Sequence, residues 1–242
     1  MAASQRKISQ IPAFLLAAFL LFFATQLYFH HAHNKLSNYI YRSLKTPLDA
    51  QFYRAVSFGS EQLLSYLLLI RVQLHDNQKG QHVSYSHLDY ETLSNWLMTL
   101  YNMNPASDYP AFLASRVYSN VQDEKKIRKM VNLIEALFNK NPQQHWRRMT
   151  EACLLLKHQL HDLPAALKIA EQIANLPATI KMPFWARDMR LILLDELNRL
   201  ESAQILISSM LQSGEIKDND ELRFLRDRLL KIQQNLSKNK QN

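Results

Sequence analysis

From residue 89 onward, apolar side chains recur at helical spacing. Leu93, Trp96, Leu97, Leu100 and Tyr101 fall at i, i+3, i+4, i+7 and i+8, which puts them on one stripe of a helix and not on alternate faces of a strand. Asp89 precedes the stripe and Pro105 follows it. A carboxylate accepts from the free amides of a first turn, and proline cannot continue a helix, so the two residues mark the ends. The same reading predicts a short helix opened by Pro110, with Phe112, Leu113, Val117 and Tyr118. A third, capped by Asp123, carries Ile127, Met130, Val131, Ile134, Leu137 and Phe138 and stops before Pro142. Trp146, Met149, Cys153, Leu156 and Leu160 form the next stripe. After Asp162 and Pro164 come Ala166, Ala170, Ile173 and Leu176; Pro183 opens a helix running towards Asn198; Glu201–Ser213 follows, closed by Gly214. The last stripe, Leu222, Leu225, Leu229, Ile232 and Leu236, has a charged opposite face and suits the cap of a helical array.

The first third of the chain reads differently. No charged residue occurs from Ile8 to Phe29. Within that run, residues 11–29 make a helix about 28 Å long at 1.5 Å per residue, close to the hydrocarbon thickness of a bilayer. Pro12 opens it, and Tyr28 and Phe29 close it where aromatic rings settle at a membrane interface. The run exceeds the apolar core of a cleavable signal peptide, and no small-x-small site follows, so it reads as an uncleaved signal anchor. Leu36, Tyr39, Ile40 and Leu44 continue a helical stripe towards Pro47. Leu63 to Val72 is apolar nearly all round but too short to span a bilayer, and is expected to be the most buried helix of the domain. Asp76 to Leu88, polar and containing Gly80, has no periodicity and is the expected mobile loop. The chain thus divides into a basic tail (1–10), an anchor (11–29), a juxtamembrane helical segment (30–60), an array (61–236) with its polar loop (76–88), and a disordered tail (237–242).

Composition narrows the function classes. Only three glycines occur in 242 residues, at positions 59, 80 and 214, so no Gly-x-Gly-x-x-Gly turn or phosphate-cradling loop can be written. Such glycine poverty also argues against a many-stranded β fold; the expected class is all-α. Cys153 is the single cysteine, which excludes an intrachain disulfide or a multi-cysteine zinc site. The net charge of +8 steers the protein to anionic lipid or acidic partners. Lys and Arg are interspersed with acids, as on solvated helix faces, so no nucleic-acid partner is expected. Arg6 and Lys7 flank one side of the anchor and Lys35, Arg42 and Lys45 the other, a count that does not set orientation by itself. The usual outcome for a short basic tail is an N-terminus left in the cytoplasm with the long domain translocated, here to the periplasm.

Antiparallel helices on short turns raise the question of repeats. Ala166 and Ala170 stand where close helix approach needs a small side chain, and Ala203 follows Ala166 by 37 residues. Trp146 and Trp185 stand 39 apart near the starts of successive first helices. Periods of this length exceed the 34 residues of an ordinary tetratricopeptide unit, so the array is irregular. The runs Tyr101–Ser115, Lys157–Ala170 and Pro183–Met189 resemble those of bacterial inner-membrane-anchored, tetratricopeptide-like proteins of unassigned activity. The resemblance implies a single-pass protein presenting a helical solenoid, with no catalytic residues to carry over.

Catalytic candidates are few. His158 and His161 form His-x-x-His without the glutamate of a zincin, and Cys153 lies among leucines, where an inert buried thiol is expected. His30, His31 and His33 on one helix converge poorly on a metal and read as an interfacial collar. Asp195 and Arg199 are spaced for an i, i+4 ion pair. No metal or other cofactor and no small-molecule substrate is expected. Binding candidates come from the first helices of the array: Arg147, Arg148, Trp185, Arg187 and Arg190, a composition enriched at interaction hot spots. The alternative is that both tryptophans are core and Arg147 pairs with Glu151. The expected function is a membrane protein, held in lipid through residues 11–29, whose helical repeats bind or scaffold a protein partner in a concave groove, in envelope assembly or secretion. The competing expectation is an envelope hydrolase or metal-dependent enzyme using His158, His161 and a carboxylate.

Overall fold

A computed structural model describes residues 12–33, 43–78, 81–214, 216 and 218–239. The chain falls into two compact units, Met1–Arg42 with Asn77–Val83, and Ser43–Asp76 with Ser84–Asn242.

In the first unit, α1 (Ala13–His33) is long and apolar enough to cross a membrane. Its apolar window, Ala13–His31, has a mean hydropathy of 1.8 and is nowhere buried. Thr25, a polar residue inside it, donates its hydroxyl to the Leu21 carbonyl at 2.6 Å, the back-bond that a hydroxyl makes within a helix. Of the three histidines past the apolar run, His30 and His31 are exposed at the end of α1, while the side chain of His33 lies outside the described residues. This unit also holds a two-residue antiparallel ladder, Asn77–Gln78 against Gln81–His82; Gly80 lies outside the described residues.

The second unit is helical. It comprises α2 (Ala50–Val56), α3 (Glu61–Gln73), α4 (Tyr90–Met103), α5 (Tyr109–Phe112), α6 (Glu124–Lys140), α7 (Pro142–His158), α8 (Leu163–Ala174), α9 (Phe184–Arg187), α10 (Met189–Glu196), α11 (Leu200–Ser213) and α12 (Asn219–Asn239). From α6 onward each long helix packs on its neighbours in sequence: α6 on α7, α7 on α8, α8 on α10, α10 on α11, α11 on α12. The predicted stripes form the seams. Leu97, Leu100, Met130, Ile134, Leu137 and Met149 are wholly buried, each contributing about 2 kcal/mol by removal from water. Ala166 is buried where α7 crosses α8, and the Cys153 thiol donates to its carbonyl at 3.3 Å; a larger side chain there would push the helices apart. Asp89, Asp123 and Asp162 accept from the first-turn amides of α4, α6 and α8, and Gly214 ends α11 at φ 68°.

Four expectations are corrected. Of the stripe Leu36, Tyr39, Ile40 and Leu44, the first three lie outside the described residues; Leu44 belongs to residues 43–49, which are not helical. Pro47 disfavours helix in the residue before it, and the Trp96 indole holds the strand-like segment by donating to the Lys45 carbonyl at 2.6 Å. The helix after Pro183 breaks at Asp188 into α9 and α10. The last helix continues through Ser237 to Asn239, so half of the expected disordered tail is helical. The fourth correction concerns α3, which is not the most buried helix. Ser65, Leu68, Leu69 and Val72 pack inward, but Leu63, Tyr66, Leu67 and Ile70 face solvent.

Candidate functional site

The five residues proposed for a groove have different fates. Arg147 is exposed, its guanidinium 5.2 Å above the Trp146 ring. Arg148, one residue on, turns inward. Its Nε donates to Asp108 at 2.8 Å and its Nη1 to Glu151 at 2.9 Å, with the guanidinium lying over Phe112. The partner of Glu151 is thus Arg148, joined by Arg116 at 2.7 Å, and not Arg147. Arg116 and Ser115 reach Glu151, and Asp108 reaches Arg148, because α5 and the wide π-helical turn that continues it (Leu113–Tyr118) lie along α7.

That contact is an ionic clamp. His145 is entirely buried, with Nδ1 2.9 Å from Asp108 and the Tyr101 ring edge-on at 5.3 Å. An ionised carboxylate only accepts, so Nδ1 carries the proton. Burial pushes the Asp108 pKa up, but the bonds from His145 and Arg148 outweigh it and hold the carboxyl below its ordinary value. Glu151 is treated alike: burial raises it, and Arg116, Ser115 and Arg148 bring it below its usual range. Asp108 and His145 were missed in the sequence. Their only signal is the spacing His145, Arg148, Glu151 on one face of α7, which does not name a partner 37 residues away.

The second cluster surrounds the break at Asp188. Trp185 on α9 is 52% exposed, unlike Trp146, which is core. Arg187 holds the turn after α8, donating to the carbonyls of Leu176 at 3.0 Å, Ile180 at 3.3 Å and Pro177 at 3.4 Å. Arg190 directs Nη2 to the Met210 sulfur at 3.9 Å, and its Nε has no hydrogen-bond partner among the described residues. Between them Asp188 is 2% exposed, with neither carboxyl oxygen bonded. Burial, reinforced by the charge of Glu221, pushes its pKa up to about 6. Burial also lowers the Arg190 pKa. Lys181, Arg187, Arg190, Met210 and Glu221 line a cavity of about 370 Å³. Neither Arg147 nor Arg148 lines it, so the five candidates do not make one surface.

His158 and His161 line different cavities, of about 230 and 650 Å³. His158 shares its cavity with Ser115 and Glu151, but Ser115 donates directly to Glu151 at 2.6 Å. No base therefore stands between a nucleophile and its orienting acid. Among the described residues no three His, Cys, Asp or Glu are grouped to hold a metal ion. Cys153 is buried, and desolvation pushes its pKa to about 12, which leaves it unreactive. Asp195 pairs with Arg228 of α12 at 2.5 Å and not with Arg199.

No family model, no curated protein and no solved structure matches the chain.

Proposed function

We propose that this is a single-pass membrane protein of the bacterial inner membrane, related to anchored tetratricopeptide-like proteins, whose helical array scaffolds a protein partner in the periplasm. The length and uniform apolarity of α1 support the anchor. The order of helix packing, with Ala166, Ala170 and Ala203 wholly buried, supports a tetratricopeptide-like stacking. The observation that carries partner binding is Trp185. It is the indole of the array left half in water, and it lies five residues before Arg190, which makes no salt bridge among the described residues and lines the neighbouring cavity. An exposed tryptophan with a cation on the same segment fits a partner segment that brings an apolar side chain and a carboxylate.

The test uses the full chain in native membranes, with the photoreactive p-benzoylphenylalanine replacing Trp185. One dominant protein adduct is expected, reduced at least several-fold by Arg190→Glu without a change in melting temperature. No adduct, or one indifferent to Arg190→Glu, overturns the site. Location is read separately: alkaline phosphatase fused after Asn242 is expected to be active, and an inactive fusion beside an active cytoplasmic reporter overturns the periplasmic placement.

A further inference from the structure

α3 is a helix with two apolar faces, of which only one is used. The inward face meets α4, with the Ser65 hydroxyl donating to the Leu100 carbonyl at 3.3 Å. The outward face presents Leu63, Tyr66, Leu67 and Ile70, and α2 adds Phe52 beside it. Between the two helices the chain turns through consecutive left-handed residues, Phe58 at φ 49° and Gly59 at φ 83°. The glycine adopts this freely, but a bulky aromatic does so at a cost. The Phe58 side chain is 96% exposed at this turn. Soluble proteins seldom leave a contiguous apolar patch of this kind uncovered.

We infer that the α2–α3 hairpin is a second membrane contact, lying in the headgroup layer of the bilayer that α1 spans. Three observations choose lipid as the occupant. Residues 34–49 join α1 to α2, and even fully drawn out they reach only about 55 Å at about 3.5 Å per residue. The hairpin is therefore held at high effective concentration against that bilayer. Its exposed side chains mix aliphatic residues with Phe52, Phe58 and Tyr66, the aromatic types that settle at the interface. Exposed Arg71 directly follows Ile70 on α3, and exposed Lys45 lies just before α2 in the chain; with Glu61 paired to Arg54, these cations suit anionic headgroups. The inference rests on the anchor reading of α1 but makes a separate claim about the array.

The experiment keeps the full chain and exploits the burial of Cys153, which leaves an introduced surface thiol as the reactive one. Phe22→Cys on α1, Phe58→Cys, Leu67→Cys and Gln233→Cys on the exposed side of α12 are each given a fluorophore. The proteins are reconstituted in vesicles of phosphatidylethanolamine and phosphatidylglycerol whose acyl chains carry a nitroxide near the headgroup. The expected result is lipid quenching at positions 58 and 67 several-fold above that at 233, with matching protection from a water-soluble quencher. If position 22 is quenched by lipid but 58 or 67 answers the aqueous quencher as readily as 233, the hairpin claim is overturned and the anchor stands. Shielding of 58 and 67 from both quenchers means protein covers the face, a second copy included, and also overturns it. No lipid quenching at position 22 overturns the anchor and this claim together.

Discussion

Asp108 and Asp188 occupy similar places and have opposite surroundings. Each precedes a helix, α5 or α10, without capping it through its side chain, and each has basic residues near. Asp108 is met by His145 and Arg148 and becomes the centre of a clamp between α5 and α7. Asp188 has no hydrogen-bond partner among the described residues, because Arg187 spends its donors on three carbonyls of the turn after α8 and Arg190 turns towards Met210. The middle of the array therefore uses its buried charges to fix two helices together. At the break between α9 and α10 a buried carboxyl makes no such bond, and that is where Trp185 is exposed. An unsatisfied carboxylate persists in a folded protein when other packing tolerates it, and such residues gather where a surface is kept for something else.

Variants that break this contrast should rank by what they leave unpaired. Asp108→Ala strands buried His145 and the Arg148 guanidinium. It should cost about 2–3 kcal/mol in urea unfolding of the detergent-solubilised chain, less than a deeply buried pair because Asp108 is partly in water. Asp188→Asn should do the reverse, raising stability at neutral pH by about 1–2 kcal/mol, since it removes a charge that burial disfavours. The two aspartates also titrate with opposite sign. Asp188, raised from 3.8 to about 6, holds its proton better folded than unfolded. Its contribution is full below pH 3.8 and is lost as pH rises through about 6, so the gain from Asp188→Asn should vanish near pH 4. Asp108, lowered from 3.8, contributes above that value and loses its contribution as pH falls through its folded pKa; the deficit of Asp108→Ala should shrink in acid. A deficit that stays constant down to acid unfolding would mean that the clamp is not ionic. Arg187→Gln removes bonds to the turn after α8 and should cost about 1 kcal/mol. Trp185→Ala should change stability by less than about 0.5 kcal/mol while reducing co-purification of the partner that the crosslink at position 185 identifies; a large loss of stability would make the tryptophan structural.

Much of the helical layout was legible because it depends on local periodicity and capping. Leu93, Leu97 and Leu100 mark a buried stripe by spacing alone, and Asp89, Asp123, Asp162 and Gly214 mark ends by their chemistry. Legibility failed where a partner is distant or where the pattern is symmetric. Arg147–Glu151 and Asp195–Arg199 have the right local spacing, yet Glu151 pairs with Arg148 of its own helix and with Arg116, and Asp195 with Arg228 of α12. Helix α3 is apolar on two sides, so hydrophobicity cannot say which side is covered. Trp146 and Trp185 hold corresponding places by spacing, and only packing separates a core ring from an exposed one. The break at Asp188 left no trace, because its neighbours continue an acceptable helical run.

The order in which the helices rest on one another has a consequence for how the chain is made. From α6 to α12 each long helix finds its support in the one just before it, so little loop entropy must be lost before contacts form. Such a polypeptide can settle piece by piece as it leaves the ribosome, with each helix from α7 onward meeting a partner already in place.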